Sequence, residues 1–191
     1  VVEIVEPGPL RILLFLSLAL RRANLELLKR RDRRPAVRPV RVGAAKVAKG
    51  GVQVFLAVQT LCLAILPIAE SSAAVRLDGM LLFGLGVLMT IASRRTLGDS
   101  WVDLEEATIL PGHKLVTRGV YRYVRHPIYT ADVLLFIGLQ LCLNSWLVLA
   151  ALALVPILVW RVRHEERQLS AAFPGYDEYR SRTKRFIPFL Y

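Results

Sequence analysis

The sequence predicts an all-α integral membrane protein of about five transmembrane helices, built as one domain over residues 1–191. Three observations predict it. Of 191 residues, 54% are hydrophobic and only 21% charged, with a mean hydropathy of +0.45; an average soluble domain has about 45–50% and about 25%. The apolar residues are gathered into long runs. The 26 Lys/Arg against 15 Asp/Glu, a net charge of +11, fall almost entirely between those runs. The same composition excludes disordered, collagen-like and low-complexity chains.

The first apolar run, Leu10 to Leu20, is short. It either crosses with flanking help or lies in the interface. Residues 21–49 follow with eleven Lys/Arg against two acids, a net of +9. Next to apolar spans, such a loop meets anionic headgroups more readily than nucleic acid; lipid binding, gating of a site and enforcement of topology all remain open for it. Val52 to Ala69 is the next span, closed by Glu70-Ser71-Ser72, and Ala73 to Ala92 the next, ending at Arg94-Arg95. Ile128 to Leu143 and Trp146 to Trp160 are separated only by Asn144-Ser145, which reads as a tight helical hairpin. About 20 residues at about 1.5 Å each cross about 30 Å of hydrocarbon. These runs are near or just below that length, so flanking residues complete the crossing.

The loops at 21–49, 94–127 and 161–191 carry nearly all the Lys/Arg, while 70–78 and 144–145 carry almost none. By the positive-inside rule, five spans place the N-terminus outside and the C-terminus in the cytoplasm, in the inner membrane of a prokaryote or the endoplasmic reticulum of a eukaryote. Glu3 and Glu6 stand where a secretory signal would be positive. Cys62 and Cys142 lie inside apolar runs and fit packing better than a disulfide or metal framework. There is no internal repeat and no linker. Residues 1–92 supply N-terminal helices and the basic loop, and 93–191 the half that carries chemistry.

That chemistry concentrates in 94–132, around Trp101, His113-Lys114-Leu115-Val116, Gly119-Val120-Tyr121 and Arg125-His126-Pro127-Ile128-Tyr129. Pro127 takes the first helical position, where its missing N–H costs nothing, which puts His126 near the N-cap. The first-turn amides and helix dipole can receive an anionic group, and Arg125 adds charge. The alternative is a capped helix with interface anchors. Past the last span stand Arg161, Arg163, His164, Glu165, Glu166 and Arg167. Adjacent glutamates point about 100° apart: one is expected to accept from a sugar diol or meet a cation, the other to pair with a nearby Arg. The alternative is a solvated helix exit. Asp132, inside an apolar helix, is either a substrate contact or reaches the interface. The last residues interleave Phe173, Tyr176, Tyr179, Phe186, Phe189 and Tyr191 with basic side chains and read as an interfacial cap. His113, His126, His164 and Glu165 lack a recognised metal-ligand spacing, so no metal is expected.

These residues resemble the isoprenylcysteine carboxyl methyltransferase family, an integral-membrane group related to phospholipid N-methyltransferases. The matching elements stand in order: Leu97-Gly98 with Trp101; Gly112 to Val116; Gly119-Val120-Tyr121; Arg125 to Tyr129; Glu165-Glu166; and Tyr176, Tyr179, Arg182 and Arg185-Phe186-Ile187-Pro188. They cover about half the chain, from about 95 to 190, and residues 1–92 are similar only in layout, to the compact prokaryotic members. Gly84-Leu85-Gly86 resembles a short glycine motif of the phospholipid enzymes, and close helix packing explains it as well.

The resemblance implies S-adenosylmethionine as methyl donor and a non-Rossmann fold holding it between the last helices and the cytoplasmic loops. It implies His113, Lys114, Leu115 and Val116 at the adenosine end, with Gly119 and Pro127 also among the cofactor-binding residues. It implies Tyr121, His126 and Tyr129 around the donor, and Arg125 near the donor's carboxylate or holding the loop. Glu165 or Glu166 takes the ribose hydroxyls or amino group. Arg125, His126, Tyr129 and Glu166 are the catalytic candidates, and Trp101, Asp132 and Arg163 the acceptor-side ones. Ser100 replaces a frequent Asn of the family and Ala131 a frequent Gly; both departures bear on the acceptor side. The expected acceptor is lipophilic, first a prenylcysteine-like or isoprenoid carboxylate, with a phospholipid or another small molecule as alternative. A carboxylate needs only in-line positioning and desolvation; an amine or phenol needs a glutamate or His126 as base. The rivals are an NADPH-dependent membrane reductase and a non-catalytic membrane protein.

Overall fold

The computed structural model describes residues 7–31, 43–62, 68, 73–98 and 114–187. The described chain is helical: α1 Pro7–Arg31, α2 Gly43–Cys62, α3 Ala73–Leu97, α4 Pro127–Cys142, α5 Ala150–Ala172 and α6 Tyr176–Arg182, with 3-10 turns at Gly119–Arg122 and Trp146–Leu149. Among the described residues, the strand-like pairing is one isolated parallel bridge between Val124 and Lys184.

α3 and α4 form the centre, and small residues let their backbones meet. A Cβ on Gly138 would lie 2.4 Å from the Phe83 backbone nitrogen, and one on Gly86 2.9 Å from that of Leu135. Gly79 faces Gly138 and Cys142 in the same way. This is the small-residue contact by which helices associate where lipid removes the hydrophobic drive. Gly86 therefore has a packing role, whereas Gly84 has open space around it. Leu10 and Leu14 of α1 complete a core with Phe83, Leu135, Leu139, Cys142 and Leu143. α2 is joined to α4 by a reciprocal amide pair: Gln59 donates to Gln140 at 2.8 Å and Gln140 returns the bond at 3.1 Å, both fully buried. Such a satisfied polar pair fixes a register without leaving an unpaired group in apolar surroundings. The outward faces of α3 and α5 expose Leu81, Leu85, Leu88, Leu152, Ile157 and Trp160, large apolar side chains suited to contact with lipid.

Several boundaries differ from the apolar runs. α1 does not stop near Leu20 but continues through Arg21 and Arg22 to Arg31, because Arg, Lys, Leu and Glu are good helix formers whatever their polarity. α2 begins at Gly43 inside the basic segment and is described as far as Cys62; most of the remainder of that apolar run, up to Ala69, lies outside the described residues. α3 runs past Ala92 to Leu97 with Arg94 and Arg95 in its last turn. Of the described helices, Ala73–Leu97 and the stretch Trp146–Ala172 are long and apolar enough to cross a membrane, and Pro127–Cys142 is apolar but shorter. The count of five spans is thus not confirmed among the described residues: α1 carries Arg11 and a charged second half from Arg21, and α2 opens with Lys46 and Lys49 in its first turns. The tight turn after α4 is present, with Asn144 at φ +52°, a conformation Asn tolerates better than most residues. Ser145 then caps the next turn by accepting from the Leu147 amide.

Candidate functional site

The site is built where α4 begins, where α5 leaves its apolar run, and where the C-terminal segment returns. Gly98 follows α3 at φ +50° and accepts from the Arg94 guanidinium at 2.7 Å. Gly119, at φ +59°, opens the 3-10 turn, and a Cβ there would lie 2.8 Å from Thr96 Oγ1. Both the backbone angle and the close approach to α3 require glycine. His126 is the N-cap of α4 and Pro127 its first residue. No side chain caps that end.

The C-terminal segment straps this junction. The amides of Arg125 and His126 donate to the carbonyls of Lys184 (2.8 Å) and Arg185 (3.1 Å), and the Lys184 amide donates to Tyr123 O at 3.1 Å. Thr130 Oγ1 donates to Phe186 O at 3.0 Å. Tyr179 donates its hydroxyl to Tyr121 O at 2.7 Å. Arg125 Nη1 donates to Arg180 O at 3.0 Å and also to the Thr183 carbonyl. Tyr176 and Tyr179 are buried beneath the strap. The segment read as an interfacial cap closes over the loop as far as it is described, to Ile187; Phe189 and Tyr191 lie outside the described residues.

Two adjacent glutamates meet opposite environments. Glu166 Oε1 accepts from Arg125 Nε at 2.9 Å, His126 Nε2 at 3.3 Å and Arg185 Nε at 3.3 Å; Oε2 accepts from Arg185 Nη2 at 2.8 Å. A carboxylate only accepts, so the contact with His126 puts the proton on Nε2. The Glu166 side chain is 6% exposed and lies past the apolar run that ends at Trp160. Burial pushes its carboxyl up, but hydrogen bonds from His126, Arg185 and Arg125, with the Arg125 charge, outweigh it and hold the pKa well below the usual carboxylate range. Glu165 is 42% exposed in its side chain. Its Oε2 accepts from the Tyr129 hydroxyl at 3.1 Å, and that hydroxyl accepts from Arg161 Nε at 3.1 Å. His126 Nδ1 stands 3.8 Å from the same Glu165 oxygen. The His126 ring lies 5.8 Å from Tyr129 and 6.2 Å from Phe186, centroid to centroid.

Arg125, His126, Tyr129, Glu165 and Glu166 are thus brought together. Of the two roles for Arg125, the contacts are those of holding the loop. Both oxygens of Glu166, expected as a donor-binding or catalytic carboxylate, are engaged by Arg125, His126 and Arg185. Lys114, Leu115 and Val116 lead into the 3-10 turn as irregular backbone, Lys114 exposed and the other two half-buried. Tyr121 is buried, and burial pushes its phenol pKa up. Asp132 is turned to α1, where Arg21 pairs with it at 2.7 Å. Arg163 lines a cleft with Glu166, Arg167 and Arg180, and Tyr129 is not part of that lining. Trp101 and His113 lie outside the described residues. His164 stacks on Trp160 at 6.1 Å and contacts Gln168, and no three His, Cys, Asp or Glu converge among the described residues. Sequence reasoning left out Arg161 and Arg185 as site residues; the Arg185-Phe186 tail element was the only pointer to the second.

The phospholipid methyltransferase family profile matches residues 75–175. The chain is 39% identical over 115 residues to the cobalt-zinc-cadmium resistance protein CzcN of Cupriavidus metallidurans, covering 58% of this chain and 50% of that one. It is 32% identical over 118 residues to protein-S-isoprenylcysteine O-methyltransferase B of Arabidopsis thaliana, covering 59% and 58%. Among solved structures, that of the eukaryotic intramembrane Ras methyltransferase ICMT (isoprenylcysteine carboxyl methyltransferase) aligns with a TM-score of 0.56 at 25% identity, over 79% of this chain and 55% of that one. The chain spans about half the length of the curated relatives it matches.

Proposed function

The chain belongs to the phospholipid methyltransferase family, and from that premise we propose that it transfers a methyl group from S-adenosylmethionine to a lipophilic acceptor at the cytoplasmic face of a membrane, with the N-terminus outside and the C-terminus in the cytoplasm. One observation carries the reading: Glu166 is consumed in fastening the strap, while Glu165, Tyr129 and Arg161 form a hydrogen-bonded row on its exposed side.

The donor set fits S-adenosylmethionine. A half-exposed carboxylate suits its hydroxyls or ammonium group, a guanidinium suits its carboxylate, and the His126–Tyr129–Phe186 ring cluster offers π-faces to a cation. We assign Glu165 to the first role and Arg161 to the second, with Tyr121, His126 and Tyr129 around the sulfonium. His113 and the backbone of Leu115 and Val116 go to the base. When bound, the cofactor supplies a methyl group on a good leaving group. The protein's work is then to orient and to exclude water. Arg125 and Arg185, clamped on Glu166, hold the loop and strap in one geometry, so Tyr129 and His126 are pre-positioned. Closure by the strap keeps the surroundings of two opposite charges dry. A carboxylate acceptor asks no side chain to take a proton; an amine or phenol would hand one to Glu165 or to Nδ1 of His126.

We place a prenylcysteine-like or isoprenoid carboxylate first among acceptors, as the Arabidopsis relative's name and the solved Ras methyltransferase support. A phospholipid or other amine is second, as the family description supports. Methyl-labelled S-adenosylmethionine given to membranes containing the protein tests both. Label in the organic phase that alkali releases as methanol is the expected result and marks an ester. Alkali-stable label marks an amine or ether and moves the acceptor to the second class. No protein-dependent label with any lipid extract would refute methyl transfer.

A further inference from the structure

We propose that a cleft between α5 and α6, distinct from the Tyr129–Glu165 surface, binds the phosphate of an anionic phospholipid headgroup. The cleft encloses about 540 Å³ and is lined by Arg163, Glu166, Arg167, Ser170, Ala171 and Arg180. Residues 163, 167, 170 and 171 recur at helical spacing, so one face of α5 supplies two guanidiniums four residues apart. Like charges at that spacing oppose helix formation slightly, and among the described residues no carboxylate is paired with either. The one acid in the lining, Glu166, is engaged by Arg125, His126 and Arg185. Arg180 of α6 adds a third guanidinium; among the described residues the carboxylate paired with it is Asp177 at 3.4 Å, with both side chains solvent-exposed. Ser170 Oγ donates to Asp177 at 2.9 Å, which ties α6 to α5 and fixes the width of the cleft. Planar guanidinium forks match phosphate oxygens, often with two bonds each.

Depth selects the source of the phosphate. The apolar run of α5 ends at Trp160, which is 70% exposed and stacks on His164, the position of an interfacial aromatic anchor. At about 1.5 Å per residue, Arg163 lies about 4.5 Å and Arg167 about 10 Å beyond it along the helix. The polar headgroup layer occupies roughly the first 5–8 Å outside the hydrocarbon. The two arginines therefore bracket the lipid phosphates. Occupancy also bears on the neighbouring site, because Arg125 donates to the Arg180 carbonyl and Glu166 walls the cleft. Binding requires α5 to cross the bilayer and does not require methyl transfer.

The test uses the delipidated full chain in neutral detergent, with phosphatidylglycerol and phosphatidylcholine titrated separately and bound lipid counted by native mass spectrometry. Wild type retains phosphatidylglycerol in preference to phosphatidylcholine. Arg163→Gln/Arg167→Gln/Arg180→Gln weakens that binding about 100-fold, from the roughly fivefold that each surface cation contributes near anionic lipid. The equally discharged control Arg95→Gln/Arg118→Gln/Arg122→Gln, all exposed positions, weakens it less than tenfold. Should the triple variant fail to fold, phenylglyoxal labelling of wild type reads the same site. Phosphatidylglycerol bilayers shield Arg163, Arg167 and Arg180, whereas phosphatidylcholine and inorganic phosphate do not. Equal losses in the two triple variants would overturn the proposal. Shielding by inorganic phosphate as strong as by the lipid would also overturn it, in favour of a free-phosphate site.

Discussion

Replacing Glu166 by Ala should release the C-terminal strap before it unfolds the helices. The carboxylate is 6% exposed and pairs with Arg125, 8% exposed, and Arg185, 20% exposed. Breaking a buried pair by removing one partner costs about 3–5 kcal/mol, because the remaining charge stays buried. Partial solvation of Arg185 places this case at the low end, about 3 kcal/mol. The loss falls on the strap, which holds the loop through the Arg125 and His126 amides, while the α3–α4 contact is untouched. Local opening free energies govern amide exchange, and each 1.4 kcal/mol is about tenfold. Exchange at the Arg125 and His126 amides should therefore quicken about 100-fold, with protection in the middle of α4 unchanged. A change of less than threefold at those amides would refute the clamp. A uniform loss of protection through α3 and α4 would show that Glu166 supports the whole fold rather than the strap.

Acid should reproduce that opening. The folded-state pKa of Glu166 is held below the ordinary carboxylate value of about 4.3, so its contribution is fully present above that value and is lost as pH falls toward the lower folded one. Protection of the Arg125 amide in wild type should decline below about pH 4, and Glu166→Gln should lack that decline; parallel acid profiles in the two proteins would contradict it. Glu165→Gln should weaken S-adenosylhomocysteine binding about tenfold, the scale of one hydrogen bond to a charged group, with strap exchange unaltered; isothermal titration with amide exchange reads both. Gly138→Ala should lower stability in detergent by about 1–3 kcal/mol through overpacking, since its Cβ would meet the Phe83 backbone, whereas Gly84→Ala, with open space around it, should be neutral or slightly stabilising; equal melting temperatures for the two variants would count against the α3–α4 contact.

What could be read from the residues alone was local. Pro127 announced the start of α4 and His126 its cap, because both follow from the neighbouring backbone. The 100° between Glu165 and Glu166 implied two different surroundings, and the structure shows them through partners that adjacent residues do not reveal. Arg125 lies 55 to 58 positions from the Arg180 and Thr183 groups it holds, and Asp132 lies 111 from Arg21. No periodicity signals pairing across such distances. α1 extends beyond its apolar run for a different reason: apolar runs mark burial, and helix continues through charged residues of good propensity. Gly79 and Gly138 carry the closest helix contact, but nothing in their spacing distinguishes them from Gly84.

The central claim is that this surface holds a methyl donor. Binding of S-adenosylhomocysteine and of NADPH to the detergent-purified full chain, measured side by side, tests it most directly. The account predicts saturable binding of S-adenosylhomocysteine alone, weakened by Glu165→Gln. Saturable binding of NADPH alone would contradict it and give the same loop residues to a reductase, and binding of neither by folded protein would contradict it in favour of a non-catalytic membrane protein.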